Sequence, residues 1–156
     1  HAIDNQTPYL FFPCGGGQRM FESTIALANM TRTTLAINEL KNNNLPYIVC
    51  FTDPTAGGIT ASFAMLGDIH FAEPGANIIF AGRRVIESTV KEELPSDFQT
   101  AEFVEKHGFV DRVVQRKDIQ NEVGKLLSIL LRKNSDIHLE NLDETSETNI
   151  QTREAS

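Results

Sequence analysis

Two glycine-rich turns, each lying between a short apolar run and a helical pattern, constrain the fold of this chain most. The first turn, PCGGGQRM, occupies residues 13–20, and the second, DPTAGGITAS, occupies residues 53–62. The apolar runs before them, at 9–12 and 47–52, do not alternate between apolar and polar residues. Such runs are typical of strands in a parallel sheet that is covered on both faces, so the sequence predicts an alternating α/β fold.

Apolar periodicity predicts the remaining elements. Steps of three and four residues predict one helix face at Ala26, Met30, Thr33, Ile37 and Leu40. The same spacing predicts a helix over 59–66, directly after the second glycine turn. Further strands are predicted at 68–73, 76–80 and 110–114, and further helices near 82–92, 99–107 and 118–132.

The charge distribution separates a body from a tail. The net charge is −7, and residues 134–156 contain six carboxylates against one arginine. We therefore expect one domain at 1–133 and an acidic, disordered tail at 134–156. The nearly neutral body lacks the basic face that nucleic-acid binding requires, and no apolar run approaches the roughly 20 residues that span a bilayer.

Both glycine turns have the properties of a site for an oxygen that carries or develops negative charge. Glycine lets the backbone turn tightly and removes the Cβ that would keep a ligand away. The first N–H groups of a following helix have no partner within that helix, and they lie at its positive end. Neither turn has the spacing of a phosphate or dinucleotide loop, and no G-x-S-x-G elbow is present. On these residues alone, turns that serve only packing remain an equal alternative.

A long segment of the chain resembles a known family. FTDPTAGGITASFAMLGDIHFAEPGA, continued by FAGRRVIESTVKEELPSDFQTAEFVEKHGFVDRVV, resembles the carboxyltransferase β subunit of multisubunit acetyl-CoA carboxylase. GGQRM at 16–20 is similar to the GGARM element of that family, and the resemblance covers about residues 8–133. It implies a crotonase-like fold, in which ββα units wind into a spiral, here incomplete at the N-terminus. The zinc ribbon of the family, with its two C-x-x-C pairs, is absent from the chain, and we expect no metal site.

The resemblance also implies an activity and partners. Family members transfer the carboxyl group of carboxybiotin, held on a separate biotin carboxyl carrier protein, to acetyl-CoA, which gives malonyl-CoA for fatty acid synthesis. Their active site lies between the β subunit and a related α subunit in an α2β2 assembly, in the bacterial cytoplasm or the plastid stroma. Two alternatives remain: a non-catalytic assembly fragment of that complex, or another acyl-CoA-handling enzyme of the same fold, such as a hydratase or isomerase.

The resemblance assigns roles to the glycine turns. The N–H groups of Gly57 and Gly58 are expected to form an oxyanion hole. Gly16 and Gly17 are expected to shape the cleft and contact the substrate. Arg19 is a candidate for the CoA phosphates, although an ion pair with a glutamate such as Glu22 is at least as plausible.

Three positions depart from the family pattern: Gln18 replaces alanine, Phe21 replaces glutamine and Ile79 replaces glycine. Phe21 lies close to the first turn and is expected to narrow the pocket. Ile79 places a bulky side chain where a close backbone approach is usual. Of the other reactive side chains, Ser62 is expected to pack or cap, and Cys14 is expected to be a small buried residue.

Overall fold

The computed structural model of the chain describes residues 1–17 and 19–131. Its strands are β1 (Tyr9–Phe11), β2 (Tyr47–Phe51), β3 (Thr55–Ala56), β4 (Ile69–Ala72), β5 (Ile78–Ile79) and β6 (Arg112–Val113). Its α-helices are α1 (Ser23–Asn42), α2 (Arg83–Val90), α3 (Ala101–Lys106) and α4 (Ile119–Leu130), and short 3-10 helices lie at Met20–Glu22, Phe63–Leu66 and Arg116–Asp118. The predicted tail at 134–156 lies outside the described residues.

The chain divides into two units, His1–Ile119 and Gln120 onward. All strands and the helices α1–α3 belong to the first unit. Within the second unit, the described residues form most of α4 and agree with the helix predicted at 118–132. In the described part of the chain, no helix combines the length and apolar character needed to cross a membrane.

The strands of the first unit form two parallel sheets. The larger sheet has the strand order β1-β2-β4-β6, and the smaller pairs β3 with β5. After β2 the chain adds β3 to the smaller sheet, and after β4 it adds β5 and then α2. The turn after β1 follows the same course, because Gly15 bridges to Thr55 before α1 begins. This repeated strand–strand–helix advance is the spiral of ββα units that the resemblance implies.

Strand β2 forms the centre of the core. All five of its residues are completely buried, and it pairs in parallel with β1 on one side and β4 on the other. The buried Tyr47 hydroxyl donates a hydrogen bond to the carbonyl of Phe63, at 3.0 Å. Burial raises the pKa of Tyr47, and burial together with Glu73 raises the pKa of the Cys50 thiol to about 12. The prediction of a strand covered on both faces is confirmed for β2. For the run at 9–12 it is wrong, because β1 pairs only with β2 in the described sheet, and Tyr9, Leu10 and Phe12 are exposed.

Helix α1 buries the face that the periodicity predicts. Ala26, Ile37 and Leu40 are buried, and Met30 and Thr33 are partly buried between exposed neighbours. Each fully buried leucine or isoleucine contributes about 1.5–3 kcal/mol relative to an exposed one. The side chains at steps of three and four residues therefore hold α1 to the rest of the unit.

The predicted helix over 59–66 is wrong. Residues 57–62 form turns, and only Phe63–Leu66 form a short 3-10 helix. Ser62 has φ −122° and ψ −114°, outside the helical region, so no continuous ladder of helical hydrogen bonds can pass through it. Its hydroxyl instead donates to the carbonyl of Gly58 at 2.6 Å, a local bond that competes with helix formation.

A pH dependence follows from the burial of His70 in β4. Its ring stacks on Phe51 at 5.7 Å between centroids, and its Nδ1 lies 4.0 Å from an Asp111 carboxylate oxygen. Burial lowers the pKa of His70 more than Asp111 raises it, so the folded state favours the neutral ring. Its stabilising contribution is complete above the ordinary pKa of about 6.5 and is lost as pH falls below that value.

We therefore expect the midpoint temperature of unfolding to be lower at pH 5.5 than at pH 7.5. The decrease should be smaller in the variant His70→Gln. Thermal unfolding of both proteins at the two pH values measures this difference. The carboxylates and the other histidines are common to both proteins and cancel in the comparison. An equal fall in the two proteins would contradict the prediction.

Candidate functional site

The two glycine turns meet in the fold, although about 40 residues of sequence separate them. Gly15 forms a parallel bridge with Thr55. The N–H of Gly15 donates to the carbonyl of Pro54 at 2.7 Å, and the N–H of Ala56 donates to the carbonyl of Gly15 at 3.0 Å. These two backbone bonds place the first turn directly beside the second.

Gly17 and Gly57 make the closest approach between the turns. Both have positive φ, 110° at Gly17 and 59° at Gly57, a region that side-chain-bearing residues rarely adopt. A Cβ on Gly17 would lie 3.4 Å from the carbonyl oxygen of Ala56, and a Cβ on Gly57 would lie 3.4 Å from the Cα of Gly17. A Cβ would thus make ordinary van der Waals contact at both positions, and it is the positive φ that favours glycine at each.

The N–H of Gly57 is not available to a ligand, contrary to the expectation from the sequence. It donates to the carbonyl of Ile79 at 2.8 Å and so continues the pairing of β3 with β5. The N–H of Gly58 makes no hydrogen bond within residues 1–17 and 19–131, and Gly58 is only half-buried. Of the two predicted donors in the second turn, only the Gly58 N–H remains free.

The first turn adds further free donors. Neither Gly16 nor Gly17 donates its N–H to an acceptor in the part of the chain that the structure describes. Gly16 is exposed, and a Cβ there would meet open space. No α-helix begins at Gly58, so the turn offers individual N–H groups to a ligand and no helix dipole.

Two buried threonines, Thr55 and Thr60, stabilise the turns through hydrogen bonds of their hydroxyls. The sequence did not indicate this role for either residue. The Thr55 hydroxyl lies 2.9 Å from each of two carbonyl oxygens, those of Pro13 and Thr52. The Thr60 hydroxyl lies 3.1 Å from the carbonyl oxygen of Thr55 and 3.0 Å from that of Ile79. Threonine in a glycine-rich turn is typical of a loop, so the residue types alone gave no signal for these roles.

Asp53 holds the start of the second turn. One of its carboxylate oxygens accepts hydrogen bonds from both the backbone N–H and the side-chain amide of Asn77, each at 2.8 Å. These bonds keep the pKa of Asp53 below its usual range. The carbonyl of Asn77 in turn accepts the N–H of Thr55 at 2.8 Å. The carboxylate at this turn therefore fixes a loop.

The other predicted residues near the first turn are exposed. Arg19 is exposed, and its side chain makes no ion pair with Glu22 or with any other described residue. The ring of Phe21 is 97% exposed, so within this chain it does not narrow a pocket. The expectation that Cys14 is buried is wrong: the residue is exposed, and its thiol donates to the carbonyl of Asp53 at 3.6 Å. Gln18 lies outside the described residues.

An apolar cavity of about 510 Å³ adjoins the second turn. Thr60, Ala61 and Ser62 line one side, and aromatic rings, among them Phe98 and Phe103, line another. Gly16, Gly17 and Gly58 are not among the described residues that line this cavity. The cavity therefore adjoins the second turn at Thr60–Ser62 without enclosing the free backbone donors.

Comparison with known proteins identifies the family. Residues 1–151 match the carboxyl transferase domain. The chain belongs to that family. Over its full 156 residues it is 62% identical to the acetyl-coenzyme A carboxylase carboxyl transferase subunit beta of Pelagibacter ubique (strain HTCC1062), and it covers 50% of that relative. The chain thus spans about half the length of the curated relative that it matches.

Solved structures confirm the crotonase-like fold of the chain. The 12S transcarboxylase, solved with methylmalonyl-coenzyme A and methylmalonic acid bound, aligns with a TM-score of 0.70 and 27% identity, over 81% of this chain and 25% of that one. An enoyl-CoA hydratase/isomerase family protein from Silicibacter pomeroyi aligns with a TM-score of 0.54 over 82% of this chain and 65% of that one. At 13% identity it shares the fold alone.

The contact between the turns predicts different outcomes for two neighbouring glycines. Gly17→Ala should lower the free energy of unfolding by about 1–2 kcal/mol, because alanine at positive φ is strained. The matched control Gly16→Ala should lower it by less than about 0.5 kcal/mol, because its Cβ meets open space. Urea denaturation of both variants measures the difference, and equal losses would contradict the close approach at Gly17.

Proposed function

We propose that this chain is the carboxyltransferase part of an acetyl-CoA carboxylase β subunit. It transfers the carboxyl group from carboxybiotin to acetyl-CoA and so produces malonyl-CoA. The observation that carries the proposal is the meeting of the two glycine turns, which leaves the Gly58 N–H free beside those of Gly16 and Gly17. The 62% identity to a relative of that name supports it.

The reaction needs such donors because charge develops on oxygen. Removal of a proton from the acetyl methyl group produces an enolate, and its negative charge lies on the thioester oxygen. One fixed N–H donor to such an oxyanion contributes roughly 3–4 kcal/mol to transition-state stabilisation, by analogy with protease oxyanion holes. In this proposal the Gly58 N–H is that donor, and Gly16 and Gly17 on the facing turn contact the substrate.

Backbone donors also explain why no catalytic dyad is needed at the turns. Biotin, once it has lost its carboxyl group, supplies a base for the methyl proton. The chain then has only to hold the thioester oxygen, orient the methyl group and limit access of water. Arg19, exposed beside the first turn, is available to the CoA phosphates in this arrangement.

The proposal includes partners. A carboxyltransferase α subunit completes the site in an α2β2 assembly, and the biotin carboxyl carrier protein delivers carboxybiotin. The bacterial cytoplasm is the proposed compartment, since the Pelagibacter relative is bacterial.

The test combines the chain with a carboxyltransferase α subunit and measures decarboxylation of malonyl-CoA to acetyl-CoA in the presence of biotin. Turnover that requires both chains supports the proposal. A stable complex without turnover would instead favour the non-catalytic assembly role. Hydration of an enoyl-CoA by the chain would favour a hydratase.

In the active complex, Gly58→Val should reduce turnover by at least about a hundredfold, the loss typical of one oxyanion donor. The branched side chain would keep the thioester oxygen from the Gly58 N–H. The matched control is Gly82→Val, at an exposed glycine where a Cβ meets open space. It should retain turnover, and both variants should still bind the α subunit. Retained activity in Gly58→Val would remove this N–H from the catalytic role.

A further inference from the structure

The carbonyl of Ile79 contacts both ends of the segment 57–60, which contains Gly58. It accepts the N–H of Gly57 at 2.8 Å and lies 3.0 Å from the hydroxyl of Thr60. Thr60 is only 7% exposed, so water does not compete strongly for its hydroxyl. Only Gly58 and Ile59 lie between the two fastened residues.

The orientation of the Gly58 N–H follows from the peptide plane that it shares with the carbonyl of Gly57. A trans peptide is planar, so fixing the direction of the carbonyl also fixes the direction of the N–H. The carbonyl of Gly57 accepts the N–H of Ala61 at 2.9 Å. Ala61 follows Thr60 directly, so the position of its N–H depends on how Thr60 is held.

The Thr60 hydroxyl holds this position from two sides. It has a single proton to share between the carbonyl oxygens of Thr55, at 3.1 Å, and Ile79, at 3.0 Å. These carbonyls belong to β3 and β5, the two strands of the smaller sheet. Thr60 therefore connects the free peptide plane to both strands without contacting the N–H itself.

We propose that Thr60 is a positioning residue, whose hydroxyl orients the peptide plane that presents the Gly58 N–H to the reacting oxygen. This inference rests on the proposed carboxyl transfer. A donor that is already oriented stabilises the developing charge without reorganisation at the moment of reaction. Loss of that orientation reduces kcat, whereas substrate contacts elsewhere in the cleft, and with them KM, stay largely unchanged.

The experiment compares Thr60→Val, which removes the hydroxyl at nearly constant shape, with Thr60→Ser, which retains it. Thr34→Val is the matched control, because the Thr34 hydroxyl donates to the carbonyl of Met30 within α1, away from the turns. Each variant is assayed with the α subunit for biotin-dependent decarboxylation of malonyl-CoA. We expect kcat to fall at least about tenfold in Thr60→Val, with KM changed less than about twofold. Thr60→Ser should recover kcat to within about threefold of the parent, and Thr34→Val should match the parent.

A second measurement tests the orientation itself and does not depend on turnover. The N–H groups of Gly57 and Ala61 are the hydrogen-bonded amides on either side of the Gly57–Gly58 peptide plane. Their hydrogen exchange should be faster by at least about tenfold in Thr60→Val than in the parent. Thr60→Ser should restore slow exchange, and the unfolding midpoint of each complex shows whether a change is local.

The outcomes separate this inference from the proposed function. Unchanged exchange at Gly57 and Ala61 in Thr60→Val would overturn the positioning role, whether or not the complex is active. An active parent whose Thr60→Val variant keeps its kcat, or changes only KM, would also overturn it. An inactive parent complex would contradict the proposed function, and Thr60 would then have no role in carboxyl transfer. Equal losses of kcat in the valine and serine variants would indicate a packing role for the side chain and overturn the proposal.

Discussion

The direct approach of two backbones, at Gly17 and Gly57, is the contact on which the candidate site depends. Each residue adopts a positive φ, and each lies where a Cβ would already be in contact with the facing turn. The absence of side chains lets the bridge between Gly15 and Thr55 form beside them. The contact between the turns brings the residues that carry the free N–H groups close together, although their segments are far apart in the sequence.

Neutral groups hold most of this arrangement. Threonine hydroxyls and backbone carbonyls connect the turns to the two sheets, and neither titrates in the physiological range. The one carboxylate involved, that of Asp53, lies at the exposed edge and is paired with Asn77. A site made in this way keeps its geometry while the charge of a reacting molecule changes. That property suits a reaction whose transition state gains negative charge.

The sequence predicted the parts of the fold that depend on local patterns. The buried strand β2 and the inner face of α1 follow directly from apolar runs and helical spacing. The glycine turns could be identified as a candidate site, and the resemblance supplied the spiral that periodicity alone cannot distinguish from other α/β folds. The hydrogen bond from the Gly57 N–H to the Ile79 carbonyl could not be predicted from the sequence. It depends on the pairing of β3 with β5 across more than 20 residues of sequence. The prediction of a helix over 59–66 was wrong for a related reason. The apolar residues have helical spacing, but this spacing does not reveal that the hydroxyls of Thr60 and Ser62 donate to backbone carbonyls.

Ile79 contributes to the site through its main chain alone. Its carbonyl accepts one backbone N–H and lies within hydrogen-bonding distance of one hydroxyl, and both contacts survive any change of side chain that leaves β5 in register. A substitution at position 79 that keeps β5 paired with β3 therefore leaves the main-chain anchor of the neighbouring turn in place.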